Sequence, residues 1–399
     1  MQTHRSLLMM SFKLITCIVD RANYGRLLPL LKVLHADERF NSFACFTGTT
    51  LFTSYNLLNT ERYTEHGIYA DFEIDIEKTT GTHSAMTETI SNGVLKISKL
   101  FIDEKPDAVI VIGDRYEALS CAIAAVYTNT YLIHIQGGEL SGSIDETTRH
   151  CITKMAHLHF PATQKAASVI RQLGEDPLSI HVSGCPVSEV LDHQSVTIHE
   201  ILNKYIISTP FKEFISKKKI YAVSIFHPVT TDVEDTSLIA TIAAESLISH
   251  DIPTLWILPN SDPGNLDVTK SIPDSIHIEK VQNIEPIDFQ SLISSAHFLI
   301  GNSSSFIRDS SLYGVPVINL GKRQQCREHG PNVSSIVEPS YELISNAIKT
   351  AIYSSERVCS DLYKGMGNSP SSIIADEIYN FLARPGYDGY QKKFYHSVV

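Results

Sequence analysis

Residues 107–135, DAVIVIGDRYEALSCAIAAVYTNTYLIHI, decide the fold. DAVIVI and YLIHI are short, almost continuous apolar runs, and residues 116–126 between them are Ala-rich with helical spacing. A strand that is apolar on both of its faces must be covered on both, so this order reads as a βαβ unit of a parallel sheet. The Ala-rich helix is expected to be buried over much of its own surface.

The same grammar continues outward in both directions. Toward the amino terminus, residues 14–19 (LITCIV) read as a strand, 24–34 as a helix and 42–47 (SFACFT) as the next strand. Toward the carboxyl terminus, 159–163 and 181–183 read as short strands, and the series closes at Gly184-Cys185-Pro186. A Lys-rich stretch at 212–219 precedes a second series: 221–226 (YAVSIF), 254–258 (TLWIL), 276–278, 298–300 (FLI) and 317–320 (VINL), with 238–248 helical. Two β-α series predict an α/β protein of two doubly wound, Rossmann-like domains, residues 1–190 and 191–370. Their ligand is expected beyond the carboxyl ends of the strands, in the interdomain cleft. The stretch 371–399, with a helix over 371–382, is expected to return to the first domain.

Bulk properties narrow the function. With 399 residues, 43% hydrophobic and 19% charged, the chain has the composition of a globular protein. A formal net charge of −11 argues against a nucleic-acid partner and requires a local cationic site for any anionic ligand. Seven scattered cysteines without a C-x-x-C read as reduced thiols, which points to the cytoplasm. Residues 1–20 have the basic start and apolar run of a signal peptide. Lys13 and Asp20 break or close that run, however, so a buried first strand is the expectation. No run reaches the ~18 apolar residues of a membrane helix, and no membrane partner is expected.

Each polar cluster follows a predicted strand. Arg21, in DRANYG, stands at a helix mouth, where it suits a phosphate or a plain capping role. Asp114, in GDRYE, reads either as an acid/base carboxylate or as a helix N-cap. The loop 136–150, QGGELSGSIDETTRH, places Glu139, Asp145 and Glu146 among three glycines, more acids than a flexible loop needs. It is assigned to catalysis or ligand orientation, although Asp145 and Arg149 are one turn apart and suit a local ion pair. In the second half His227 ends a strand in HPVTT, and Asn260 lies in the turn PNSDPGN. Ser303 and Ser304, in GNSSS, suit a diphosphate at a helix start or an ordinary cap. Asp309 follows, placed to accept from ribose hydroxyls, and Lys322-Arg323 form a cationic loop. Metal-ligand spacings, G-x-S-x-G, Walker A and G-x-G-x-x-G are all missing, so neither a metal nor a cofactor is expected.

Taken in order, DRANYG, GDRYEA, IHIQGGELSGSIDETTRH, HPVTTD, PNSDPGN, GNSSSFIRD and YGVPVINLGKRQ resemble the hydrolysing UDP-N-acetylglucosamine 2-epimerases, over about residues 13–380. The resemblance is strongest to members of sialic acid pathways. It implies a GT-B arrangement and inversion at C2 of the sugar with loss of UDP, giving N-acetylmannosamine. It places acid/base roles on Asp114, Asp145 and position 136, and nucleotide contacts on Arg21, Arg115, His227, Ser303, Ser304, Asp309 and Arg323. Glu117, Glu139 and His227 complete the catalytic candidates, and Arg149 and Asn260 the binding ones. Three positions depart from the family pattern: Gln136 where several relatives carry Glu, Asp309 where Glu is usual, and Phe306 where Gly is usual. Phe306 is expected to add bulk beside the nucleotide loop. The competing readings are the same reaction on a 2,4-diacetamido-trideoxy sugar nucleotide, a GT-B glycosyltransferase, and a silent nucleotide-sugar sensor. The partner is a small nucleotide-sugar, and a homodimer or homotetramer is expected.

Overall fold

The computed structural model describes residues 11–51, 67–78, 82–192, 196–205, 208–230, 233–354, 356–365, 367–384 and 390–395. Two six-stranded sheets organise them. The first contains β1 (Phe12–Ile18), β2 (Phe40–Thr47), β3 (Phe72–Ile74), β4 (Ala108–Ile112), β5 (Tyr131–Ile135) and β6 (Leu158–Phe160), in the order β3-β2-β1-β4-β5-β6. The second contains β7 (Ala222–Ile225), β8 (Thr254–Ile257), β9 (Ile278–Val281), β10 (Phe298–Gly301), β11 (Val317–Leu320) and β12 (Val333–Ile336), in the order β12-β11-β10-β7-β8-β9. Every strand pair within them is parallel. Counted within its own half, the second order repeats the first. In both halves the first and fourth strands are neighbours, and the winding reverses between them, which is where a doubly wound sheet opens a crevice.

The stretch that decided the fold behaves as its composition demands. All five residues of β4 are buried, and Ile110 pairs with Ile133 of β5. Helices of the first half include α1 (Arg21–Ala36), α2 (His83–Glu104), α3 (Tyr116–Tyr127) and α4 (Asp145–Met155). Ala118, Ala122 and Ala125 of α3 are buried, so small side chains bring that helix close to the sheet on one side and to α2 on the other. In the second half, α5 (Pro286–Ser295) faces α1 across the cleft.

The last helix, α6 (Pro370–Leu382), packs Ile374, Ala375, Ile378 and Phe381 into one cluster with Leu27, Leu31 and Leu34 of α1. Beyond it, the Tyr390 ring lies 4.7 Å from that of Tyr131, and Lys392 pairs with Glu175 at 2.5 Å. The chain therefore passes from the first sheet to the second and back. The two passages touch, with Cys185 N donating to Tyr363 O at 2.8 Å. Gly184 (φ +83°) presses on Gly365 (φ +84°), where a Cβ on Gly184 would collide with the facing backbone. Both the dihedral and the space require glycine there.

Several expectations are corrected. Residues 181–183 form no strand, and Ile180 makes only an isolated bridge to His159. The strand expected at 276–278 begins at Ile278. The Lys-rich stretch belongs to the helix Thr209–Lys218, which buries Phe211 and Ile215. Phe306 is 1% exposed and belongs to the second half's core cluster with Phe211 and Ile215, so its bulk is taken up by the core and not by the loop 301–305. All seven cysteines are unpaired. Among the described residues, no helix is long and apolar enough to cross a membrane.

Candidate active site

Loops following β1, β7, β8, β9 and β10 enclose an open cavity of about 720 Å³. Arg21, Arg26, His227, Asn260, Ser303 and Asp309 line it, drawn from both halves. The start of α1 explains the first two. Asp20 Oδ1 caps the helix by accepting from Asn23 N at 2.6 Å, which leaves Arg21, Ala22, Gly25 and Arg26 on one face toward the cavity. A Cβ on Gly25 would lie 3.0 Å from Pro286 Cβ, so glycine lets α1 approach α5. Arg21 spans the cleft, donating to the carbonyls of Gln282 (2.8 Å) and Leu258 (2.9 Å).

On the opposite wall, Gly301 has no room for a side chain against Ile225. The neighbouring Asn302 clasps the His227 backbone, accepting from its N–H at 2.7 Å and donating to its carbonyl at 2.8 Å. Burial first, then the charges of Arg323, Arg21 and Arg115, hold the imidazole well below its usual pKa. His227 is therefore neutral, and its buried Nδ1 takes no protein partner. Ser303 stands at the N-cap of the turn Ser304–Arg308 but makes no capping bond with its side chain, so the ordinary-cap reading fails.

A second set of groups is paired charge. Arg115 occupies the N-cap position of α3, so Asp114 is not a cap; its carboxylate pairs with Arg149. Burial raises the Asp114 pKa, but Arg149, Arg327 and Arg26 outweigh it and hold the group anionic, below the usual carboxylate range. Arg149 also donates to Glu139 O at 2.5 Å, so the expected Asp145–Arg149 pair does not form. Asp145 opens α4, accepts from Ser143 Oγ at 3.0 Å and pairs with Arg323 at 3.2 Å. Desolvation in the cleft, the largest influence, and the nearby Asp114 charge raise its pKa, while Arg323 lowers it. Glu139 is gripped by Arg308 at 2.9 Å and by Arg327. Arg115 holds both oxygens of Glu117 (3.1 and 2.8 Å) and Asp262 at 2.5 Å. Its guanidinium is thus committed to carboxylates, where the resemblance placed it on the nucleotide. Glu117 is fully buried, and burial pushes its carboxyl up against the pull of Arg115.

Gln136 has φ +60° and an amide fixed at both ends. Its Oε1 accepts from Arg26 Nη1 at 2.9 Å, and its Nε2 lies 2.7 Å from Cys185 Sγ. Among the described residues Arg26 has no ion pair, because the group it meets is a neutral amide.

Sequence reasoning missed Arg26, Asp262, Gln290, Arg308 and Arg327. Arg26 was findable, one turn past Ala22 at the start of the helix that Arg21 opens, and Arg308 adjoins Asp309. Nothing in local spacing announces the partners that Arg327 and Asp262 find across the cleft.

A cleft between two Rossmann-like sheets, lined by guanidinium, imidazole, hydroxyl and carboxylate groups, defines a two-domain α/β protein of the GT-B kind. The match goes further than the architecture. The chain belongs to the UDP-N-acetylglucosamine 2-epimerase family, whose profile matches residues 32–375. It is 31% identical to the UDP-N-acetylglucosamine 2-epimerase of Neisseria meningitidis serogroup B, over 92% of this chain and 95% of that one. It is 29% identical to the hydrolysing UDP-N,N'-diacetylbacillosamine 2-epimerase of Legionella pneumophila, over 85% of this chain and 89% of the relative. Its fold matches the crystal structure of a UDP-GlcNAc 2-epimerase from Neisseria meningitidis bound to UDP-GlcNAc. That match has a TM-score of 0.72 at 17% identity and covers 92% of this chain and 100% of the other.

Proposed function

We propose that this chain is a hydrolysing 2-epimerase that converts UDP-N-acetylglucosamine and water to N-acetylmannosamine and UDP. The cavity carries the reading: Arg21, His227 and Ser303 converge on one space from opposite halves, as a diphosphate requires. Asn260 of the same lining is a further contact and Asp309 serves the ribose, with Ser304 and Arg323 assigned to the nucleotide from the family resemblance. The C2 proton of the sugar is not acidic, so it leaves as the C1–O bond to UDP breaks, giving a glycal. Water then adds at C1, and a proton returns to C2 from the other face.

The carboxylates sort by environment. Asp145, with its pKa raised, is the proton-transfer group; Asp114, held anionic, fixes Arg149 and keeps the Asp145 carboxyl high. Glu139 and Glu117 are gripped by arginines and hold the loops that carry the site. Gln136 cannot exchange a proton and orients the sugar or water. The units divide near residue 190, with α6 returning to the first.

The test is an NMR time course with UDP-N-acetylglucosamine in deuterated water. Free UDP and N-acetylmannosamine deuterated at C2 support the reading; an unchanged substrate refutes it. A second arm uses UDP-N,N'-diacetylbacillosamine, because the Legionella relative is named for that substrate. Faster turnover there assigns the modified sugar.

A further inference from the structure

One hydrogen-bonded relay in the same cavity stands apart from the charge pairs. Tyr313 OH donates to Gln290 Oε1 at 3.0 Å, and Gln290 Nε2 donates to Asp309 Oδ2 at 3.0 Å. Asp309 and Tyr313 are four residues apart on successive helical turns, so both reach the same residue of α5. The relay dictates how the amide lies: an ionised carboxylate only accepts, so nitrogen faces Asp309 and oxygen faces the phenol. Asp309 Oδ1 is buried and takes no hydrogen bond from the protein, and both Asp309 and Gln290 line the cavity. The amide nitrogen carries a second N–H beyond the one given to Asp309.

A glutamate at position 309 would be one methylene longer and could offer both oxygens to a vicinal diol. Aspartate is shorter, and Gln290 already holds one of its oxygens. We propose that Gln290 and Tyr313 are positioning residues for the ribose. Asp309 Oδ1 accepts from one hydroxyl, the second amide N–H of Gln290 donates to the other, and Tyr313 keeps the amide turned for that contact. In this chain an amide and a phenol stand in for the missing methylene. Burial pushes the Asp309 carboxyl up, while Arg308 and Gln290 pull it down, so the relay also favours the anion that accepts.

The inference rests on the nucleotide-sugar reading, and calorimetry with UDP, 2′-deoxy-UDP and 3′-deoxy-UDP separates the two. Wild-type protein is expected to prefer UDP to either deoxy form by on the order of tenfold, the worth of one hydrogen bond to a charged group. Gln290→Leu should bring one of the two ratios close to one in protein that still binds UDP, with some loss of melting temperature because Asp309 and Tyr313 lose their partner. Tyr313→Phe should reduce the same ratio by a smaller factor. Asp309→Glu combined with Gln290→Ala should restore it, because the longer carboxylate needs no relay. Wild-type values of both ratios in Gln290→Leu or Tyr313→Phe protein that still binds UDP overturn the inference. Wild-type protein that binds none of the three nucleotides overturns the functional reading itself, before any substitution is made.

Discussion

The two sides of the cleft treat their polar groups differently. Where the loop 136–150 and the Asp114 turn approach the second half, the charges are paired within the protein: Asp114 with Arg149, Glu139 with Arg308 and Arg327, Asp145 with Arg323, Arg115 with Glu117 and Asp262. In the cavity between α1 and α5 the answers are incomplete. Arg26 meets a neutral amide, and His227 Nδ1 and Asp309 Oδ1 have no protein partner. Buried polar groups are normally satisfied, and these two belong to residues that line the cavity, so a ligand there can supply the bonds they lack. The pairs of Glu139 with Arg308 and Arg327, of Asp145 with Arg323 and of Arg115 with Asp262 join the two halves, whereas the cavity keeps polar groups that the protein leaves unanswered.

That division can be broken experimentally. The largest effect is expected at Asp145, where Asp145→Asn should cut turnover by about 10²–10⁴-fold, the usual worth of a general acid/base, while UDP affinity persists. Matched kinetics and UDP calorimetry check it, and near-normal turnover would move the proton-transfer role elsewhere. Next comes Asp114→Asn, which leaves the buried Arg149 short of its counter-charge. A loss of about 2–4 kcal/mol in urea denaturation is expected, together with slower turnover. Equal stability losses in the two variants would dissolve the distinction between holding and binding.

A pH effect follows on the paired side. His134 is buried, donating from Nε2 to Gly113 O at 2.8 Å and accepting at Nδ1 from Thr153 Oγ1 at 3.1 Å, which ties the Asp114 turn to α4. Burial, the largest influence, lowers its pKa to about 3. The unfolded chain takes up that proton near pH 6.5 and the folded one does not. The stability is therefore fully present above pH ~6.5 and is lost as pH falls toward the folded value, by up to about 1.4 kcal/mol per pH unit. Denaturation midpoints at pH 7 and 5.5 should differ accordingly; a flat profile would show that His134 is protonated without breaking these bonds.

The smallest effect sharpens the comparison from the cavity side. Gln136→Glu gives Arg26 a carboxylate and moves it into the paired set. Turnover should change by less than about tenfold, whereas a gain of about 10²–10⁴-fold would mean that a catalytic carboxylate had been lost at this position.

What could be read from the chain depended on range. YLIHI and VINL matched their strands to the residue, because central parallel strands are apolar on both faces. The edge strands FEI and VSSI escaped, being short and partly exposed, with too little apolar signal to separate them from loops. The strand-end positions of Arg21, His227 and Ser303 were legible, because a doubly wound sheet sends its loops to one end. Charge partnership was not. Asp145 and Arg149 suit each other locally, yet Arg149 is drawn to Asp114 and Asp145 across to Arg323. The turn after β4 supplies the first alternative and the second sheet the other, and helical spacing sees neither.

The contact of Gly184 with Gly365 has a mechanical consequence. The second half is held at both of its ends by chain passages that lie side by side, so it is suspended like a door on a double pin. Sliding or twisting of one half over the other would shear the Cys185–Tyr363 bond, whereas swinging about the line through the two glycines leaves it intact. Any movement of the halves that keeps this bond is thereby confined to rotation about that line. A methyl group at either glycine would act as a shim in that hinge, setting the angle at which the cavity comes to rest.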